Sequence, residues 1–284
     1  MKKFTAWILF LTLLSGSLYA QQSLNVMTFN IRLQTDSDSL NAWRYRKDKV
    51  VSQILYNEAH IVGVQEAVPA QMDDLRLLLK NYRSVGVGRD DGKNKGEYSA
   101  IFYDTSRLSL IESETFWLSE TPSVAGNKGW DAAFPRIVTW ARFSDKLTGK
   151  TFCHFNTHYD HMGQIARRQS SLLLMEKVKL IGKDKPVIIS GDFNATPEDE
   201  PIKLLTDKKN PLHFTDTRDL ASIPAHGPEG TFNGWKINET GNPRIDYIYI
   251  RGDIKVKKHA TLSEIWGIRF SSDHFPVMAT LIIN

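Results

Sequence analysis

The chain has 284 residues, 41% of them apolar, with 36 basic residues against 32 acidic and one cysteine. That apolar content can fill the core of one domain, and a lone cysteine excludes an intramolecular disulfide. Setting aside Lys2 and Lys3 leaves 34 basic against 32 acidic residues, a net charge of +2, too even a balance for a protein that grips nucleic acid through a single-sign field.

Lys2 and Lys3 precede a short apolar run from Ala6 to Leu14, followed by small and polar residues up to Ala20. Residues 1–20 therefore read as a secretory signal, too short for an ordinary membrane span, with cleavage expected after Ala20 and an uncleaved anchor as the alternative. The expected location is periplasmic or extracellular, with 21–284 as a single catalytic domain.

Leu24 to Ile31 is an apolar run of strand length ending beside Asn30, and Ile61 to Val64 is a second one ending in Gln65-Glu66. Between them Trp43 to Leu55 has helical spacing, and Pro69 opens another helix reaching Lys80. Tyr82 to Val87, Tyr98 to Tyr103, Leu108 to Leu118, Ile137 to Phe143 and Thr151 to Thr157 are successive strands, which argues antiparallel pairing. Helical spacing returns over Gln164 to Leu180, then come a buried strand at Pro186 to Ser190, a short helix at Pro201 to Leu205, and strands at Ile245 to Ile250 and Val277 to Ile283. The order of strands and helix occurs twice, which predicts an α/β protein with two packed sheets and helices outside. Segments 123–136 and 225–244, with their Gly and Pro, are expected to be rim loops. The basic clusters Arg44 to Lys49, Arg167-Arg168 and Lys255 to Lys258 read as solvated faces.

Polar residues recur at the ends of the apolar runs: Asn30, Glu66, His158, Asp160, Asp192, Asn194, Asp246, Asp273 and His274. One acidic strand end is usually a turn or a cap, but six strands each carrying one points to a shared site. Carboxylates with an amide oxygen are hard ligands, suited to Mg²⁺, with Mn²⁺ or Ca²⁺ as alternatives, rather than to zinc. Such a set suits hydrolysis of a phosphate ester by an activated water, with a protonated imidazole as donor.

The six motifs MTFNIR at 27–32, VQE at 64–66, NTHYDH at 156–161, GDFNATP at 191–197, RIDYIYI at 244–250 and SDHFPV at 272–277 resemble the endonuclease/exonuclease/phosphatase superfamily over essentially the whole chain after the signal. That superfamily includes pancreatic deoxyribonuclease, apurinic endonucleases, deadenylases, inositol polyphosphate 5-phosphatases and neutral sphingomyelinases. The resemblance implies a four-layer α/β/β/α sandwich, Glu66 as principal metal ligand, and Asn30 and Asp273 near the metal. It further implies Asp192 to orient or deprotonate water, Asn194 to hold that water or a phosphoryl oxygen, and His274 paired with Asp246 as transition-state donor. His158 matches a histidine of the deoxyribonuclease, sphingomyelinase and phosphatase branches, where apurinic endonucleases carry tyrosine.

Position alone singles out Arg136 as a phosphate clamp, Glu97 and Asp160 as competing partners of His158, and Trp130 and Trp235 as rim residues that could stack on substrate. The expected function is a metal-dependent phosphoesterase acting on nucleic acid, nucleotide, sugar phosphate or lipid headgroup, with nuclease-type action first. A small-molecule or lipid-headgroup phosphatase or phosphodiesterase is the alternative, and a non-catalytic binding protein a distant one. A monomer with no obligate protein partner is expected.

Overall fold

A computed structural model describes residues 22–237 and 243–284. The signal-segment reading of residues 1–20 lies outside the described residues, as do five positions of the second rim loop. In chain order the elements are β1 (Leu24–Asn30), α1 (Lys47–Tyr56), β2 (Ile61–Ala67), α2 (Pro69–Leu78), β3 (Tyr82–Val85), β4 (Tyr98–Asp104), β5 (Leu108–Trp117) and β6 (Ile137–Asp145). They continue with β7 (Thr151–His158), α3 (Gln164–Gly182), β8 (Val187–Asp192), α4 (Glu200–Thr206), β9 (Thr215–Asp216), α5 (Thr217–Leu220), β10 (Asp246–Arg251), β11 (Ile254–Thr261) and β12 (Val277–Ile283).

These strands make two six-stranded sheets, ordered β11-β12-β1-β2-β4-β3 and β5-β6-β7-β8-β10-β9. The two orders correspond position for position, with β1-β2-β4-β3 matched by β7-β8-β10-β9. In each sheet the central pair, β1 with β2 or β7 with β8, is parallel and joined through a helix, while the other pairs are antiparallel. The expected double pattern is thus present, with a helical crossover wherever parallel pairing requires one.

Strand periodicity assigns each side chain to a layer. Met27 and Phe29 of β1 pack with Val50 and Ile54 of α1 and with Met72 and Leu75 of α2. Phe155 of β7 and Ile189 of β8 pack with Leu174 and Val178 of α3 and with Ile202 of α4. The alternate residues, Leu24, Val26, Phe152, Ile188 and Ile248, form the core between the sheets. Helices outside two face-to-face sheets are the four-layer α/β/β/α sandwich expected from the motifs.

The structure also departs from the sequence-based expectation. The first helix begins at Lys47 rather than Trp43, because a 3₁₀ turn at Trp43–Tyr45 is followed by Arg46 at φ −130°, ψ −9°. Arg46 is also buried, against the reading of its cluster as a solvated face, since its guanidinium donates to the Ile31, Arg32, Asn41 and Ser271 carbonyls. Strand β11 was hidden by its lysines: Ile254 and Val256 point inward while Lys255, Lys257 and Lys258 are exposed.

Along the inter-sheet face each central strand runs from apolar to polar toward the same end. In β7 the sequence of inward residues is Phe152, His154, Asn156, His158; in β8 it is Ile188, Ser190, Asp192; in β1 it is Leu24, Val26, Thr28, Asn30. The polar middle is hydrogen-bonded across the sheets. Asn156 Nδ2 donates to the Val64 and Ala100 carbonyls of the other sheet at 3.0 and 2.9 Å, and Asn156 Oδ1 accepts from Gln65 Nε2 at 2.7 Å and Ser190 Oγ at 3.1 Å. The sheets approach so closely here that a Cβ on Gly63 would lie 2.2 Å from Ser190 Oγ and 2.4 Å from Asn156 Oδ1. Only glycine fits.

His154, whose Nε2 lies 2.8 Å from Ser190 Oγ, is fully buried in this layer, and burial pushes its pKa down to about 3. Above pH ~6.5 the residue is neutral in both folded and unfolded chains; below it only the unfolded chain takes the proton. Stability should therefore fall by about 1.4 kcal/mol per pH unit from this residue between pH ~6.5 and ~3. Thermal midpoints of the wild type and His154→Gln across that window test this: the variant should show the shallower acid slope.

Candidate active site

Sheet register lines up the chemistry. His158 is paired with Asp192 across β7 and β8, and Asp192 with Asp246 across β8 and β10, so three neighbouring strands present them in one row. From the facing sheet come Asn30, at the end of β1, and Glu66, in a β-bulge where the β2–β4 register shifts between Val64 and Ala67. The bulge puts Glu66 at φ +64°, a conformation a branched or long side chain adopts only when its surroundings hold it. Its carboxylate is locked by Asn30 Nδ2 to Oε1 and the Leu33 N–H to Oε2, both 3.0 Å.

Asn30 joins the two halves. Its amide nitrogen also donates to Asp192 Oδ2 at 2.9 Å, so one side chain spaces the Glu66 and Asp192 carboxylates. Asp192 Oδ1 accepts from the Asn194 N–H at 2.9 Å. Burial, and then the Asp246 charge, push the Asp192 carboxyl up to about 7 against the opposing pull of His274 and these hydrogen bonds. For Glu66, burial favours the neutral form but is outweighed by His274, Asn30, the Leu33 N–H and Arg32, which hold its pKa below the ordinary carboxylate range.

His274 is the buried cation of the site. Nδ1 lies 2.9 Å from Asp246 Oδ2 and Nε2 3.8 Å from Asp192 Oδ2. Burial alone would discharge the ring, but Asp246 and Asp192 raise its pKa well above the ordinary histidine value. Asp246 is in turn held by Thr231 Oγ1 at 2.6 Å, and Phe232 sits edge-on to the imidazole at 5.0 Å. Asp273 is raised by burial, with His274 opposing and Glu66 reinforcing, and Arg32 Nε stands 3.8 Å from it.

His158 is the contrasting imidazole. Burial first, then the charges of Arg136 and Arg89, push its pKa well below the usual value, so it is neutral. Asn194 Nδ2 donates to His158 Nε2 and to the Tyr159 carbonyl, both at 3.0 Å, which leaves the ring proton on Nδ1, 3.8 Å from Glu97 Oε2. Both amide hydrogens of Asn194 are thereby used, so what it retains for water or substrate is Oδ1.

These groups open into a cleft of about 560 Å³ lined also by Arg32, Arg89, Glu97, Phe134, Arg136, His161 and Phe232. Of the residues singled out by position, Arg136 and Glu97 line the cleft. Asp160 does not, and it is no partner of His158: its carboxylate takes Arg136 Nε at 3.2 Å and the Ala133, Phe134, Met162 and Gly163 N–H groups. Those contacts pull its pKa down to about 2 despite the opposing effect of burial. Trp130 and Trp235 are half-buried anchors away from the lining: Trp130 N–H bonds Glu120, and Trp235 lies on the Arg46 guanidinium at 5.5 Å. The aromatic walls are Phe134 and Phe232 instead. Sequence position missed them, with Arg89, Thr231 and His161, because loop residues carry no periodicity; the FPR and TFN contexts beside known strands were the available signal.

Among the described residues, two groupings bring donor atoms within 4.8 Å of one another: Glu66, His158 and Asp192, and Asp192, Asp246 and His274. The second is an ion-pair chain, since a protonated His274 offers no lone pair. In the first, His158 Nε2 is already occupied by Asn194. The carboxylates of Glu66 and Asp192, with Asp273 nearby, are then the donors open to a hard divalent cation.

A model of the endonuclease/exonuclease/phosphatase family matches residues 27–274. The chain belongs to that family. It is accordingly a phosphate-ester hydrolase. A solved family structure from Bacteroides vulgatus is 40% identical with a TM-score of 0.89, over 93% of this chain and 100% of that one. A structure of a mannosyl-6-phosphatase from Bacteroides thetaiotaomicron is 36% identical with a TM-score of 0.86, over 92% of this chain and 100% of that one. Among curated relatives, nocturnin of Drosophila melanogaster is 26% identical over 83% of this chain, which spans 41% of that protein's length.

Asp246→Asn keeps the shape of the His274 partner but removes its charge. Steady-state kinetics on any turned-over phosphate ester should show kcat lowered about 10²–10⁴-fold, with circular dichroism unchanged.

Proposed function

We propose that the chain is an exported, divalent-metal-dependent phosphomonoesterase acting on a small molecule of sugar-phosphate size. The observation that carries the substrate class is the cleft: about 560 Å³, with Arg32, Arg89 and Arg136 among the residues that line it. That volume is typical of a small-molecule site. A nuclease would need a basic track extending along the surface, and the near-balanced charge argues against one. The similarity to a mannosyl-6-phosphatase over the whole of that chain supports the same choice. Lys2, Lys3 and the apolar run behind them support export.

Glu66 and Asp273, with Asp192 beside them, would hold the metal, taken to be Mg²⁺, which when bound neutralises phosphoryl oxygens, while Asn30 holds the Glu66 and Asp192 carboxylates in place. Asp192, more basic than an ordinary carboxylate, orients and deprotonates the attacking water. His274, charged and aligned by Asp246, donates through Nε2–H to a phosphoryl oxygen whose charge grows in the transition state. Arg32, 3.8 Å from Asp273, would hold a remaining phosphoryl oxygen, and neutral His158 donates from Nδ1 without adding charge.

p-Nitrophenyl phosphate and bis(p-nitrophenyl) phosphate separate monoester from diester action. The monoester should be favoured in kcat/KM by at least about tenfold with Mg²⁺, and activity should vanish with EDTA and in Glu66→Ala. Preference for the diester would overturn the monoesterase reading, and equal rates with EDTA would overturn metal dependence. N-terminal sequencing of protein recovered outside the cytoplasm should begin at Gln21; retention inside the cell overturns export.

A further inference from the structure

The far wall of the cleft, beyond His158, is built as rigidly as the catalytic row yet has no part in the chemistry above. The Asp160 carboxylate gathers both segments that form it: Oδ2 takes Ala133 N, Phe134 N and Arg136 Nε at 3.1, 3.4 and 3.2 Å, and Oδ1 takes Met162 N and Gly163 N at 2.9 and 2.8 Å. Arg136 Nη2 lies 3.0 Å from His161 Nδ1, and the Phe134 ring stacks with His161 at 6.0 Å and meets the Arg89 guanidinium at 5.0 Å. Phe134 is nonetheless 47% exposed. An aromatic fixed by its neighbours and left open at a cleft wall is arranged to meet a ligand.

The polar groups here are paired but not used up. Arg89 Nη1 bonds Glu97 Oε2 at 2.7 Å and Arg136 is bonded to Asp160, so each cation has its carboxylate and the wall is close to neutral. Arg89 and Arg136 are 8% and 4% exposed, and each keeps one buried N–H, Arg89 Nε and Arg136 Nη1, with no acceptor in the protein. Unmet donors in a native site are costly unless a ligand or water meets them. A second phosphate would need surplus positive charge. Donors alternating with a carboxylate acceptor match hydroxyl groups, which both give and take hydrogen bonds, and the open ring matches the C–H face of a sugar.

Resting on the phosphomonoesterase reading above, we propose that Arg89, Glu97, Arg136, His161 and Phe134 form the leaving-group subsite and that the leaving group is a neutral pyranose. The wall selects sugar phosphates over alkyl phosphates of equal charge. Fixing it in advance lowers the ordering cost of binding, so selectivity should reside in KM.

The test compares mannose 6-phosphate, propyl phosphate and mannose 1,6-bisphosphate with the full Mg²⁺-loaded enzyme, its Phe134→Ala variant and its Glu97→Gln variant, each checked for an unchanged melting temperature. The wild type should prefer mannose 6-phosphate to propyl phosphate, and Phe134→Ala should cut that preference about tenfold, chiefly through KM. Glu97→Gln, which keeps the shape and removes the acceptor charge, should cut it in the same direction. An unchanged preference in both variants overturns the subsite, as does a wild type that favours the bisphosphate, which would mark a second-phosphate site. A wild type that hydrolyses diesters but neither simple monoester overturns the monoesterase reading itself, and the subsite falls with it.

Discussion

The Asn156 side chain is the junction on which the rest of the molecule depends. It belongs to one sheet, donates to two carbonyls of the other, and accepts from Gln65 and from Ser190. Those carbonyls, Val64 and Ala100, are the last matched pair before the bulge that turns Glu66 into the cleft. Sheet spacing, bulge and catalytic carboxylate are thus fixed together. Buried polar networks raise the cost of any partial arrangement, and here that cost favours one register of the two sheets.

Electrostatically the site works by contrast between two imidazoles in similar burial. His274 is flanked by Asp246 and Asp192 and is cationic; His158 is flanked by Arg89 and Arg136 and is neutral. Burial discharges His158 and its arginine neighbours reinforce that, while at His274 the two aspartates outweigh the same burial. The result is a cleft with a proton donor on one side of Asp192 and a neutral hydrogen-bonding group on the other. The left-handed backbone at Arg32, Glu66 and Asn194 is the conformational side of the same arrangement, strain held by hydrogen bonds where ligands are presented.

Much of this was legible in the chain because strand periodicity and chemistry coincide. Asn30, His158, Asp192 and Asp246 all occupy inward positions at the same end of strands whose inward residues are apolar at the other end, so their clustering could be anticipated from six motifs in order. What escaped were features with no local period. Strand β11 looked like a basic cluster because its outward residues are lysines. Arg46 looked solvated because sequence cannot show four backbone carbonyls converging on one guanidinium. The rim tryptophans were singled out by their position in the loops, yet Phe134 and Phe232 face the cleft, a choice made by loop geometry and by the clasp of Asp160 on two segments.

Asn30 has a further consequence. Its one amide nitrogen holds a carboxylate from its own sheet and a carboxylate from the facing sheet. Neither sheet alone contains a reacting centre, and a refolding chain with both sheets formed but not docked would have native-like secondary structure and no turnover. Hydrolytic activity in this architecture therefore reports on the completed sandwich, and regain of activity is a probe of the docking step itself rather than of either half.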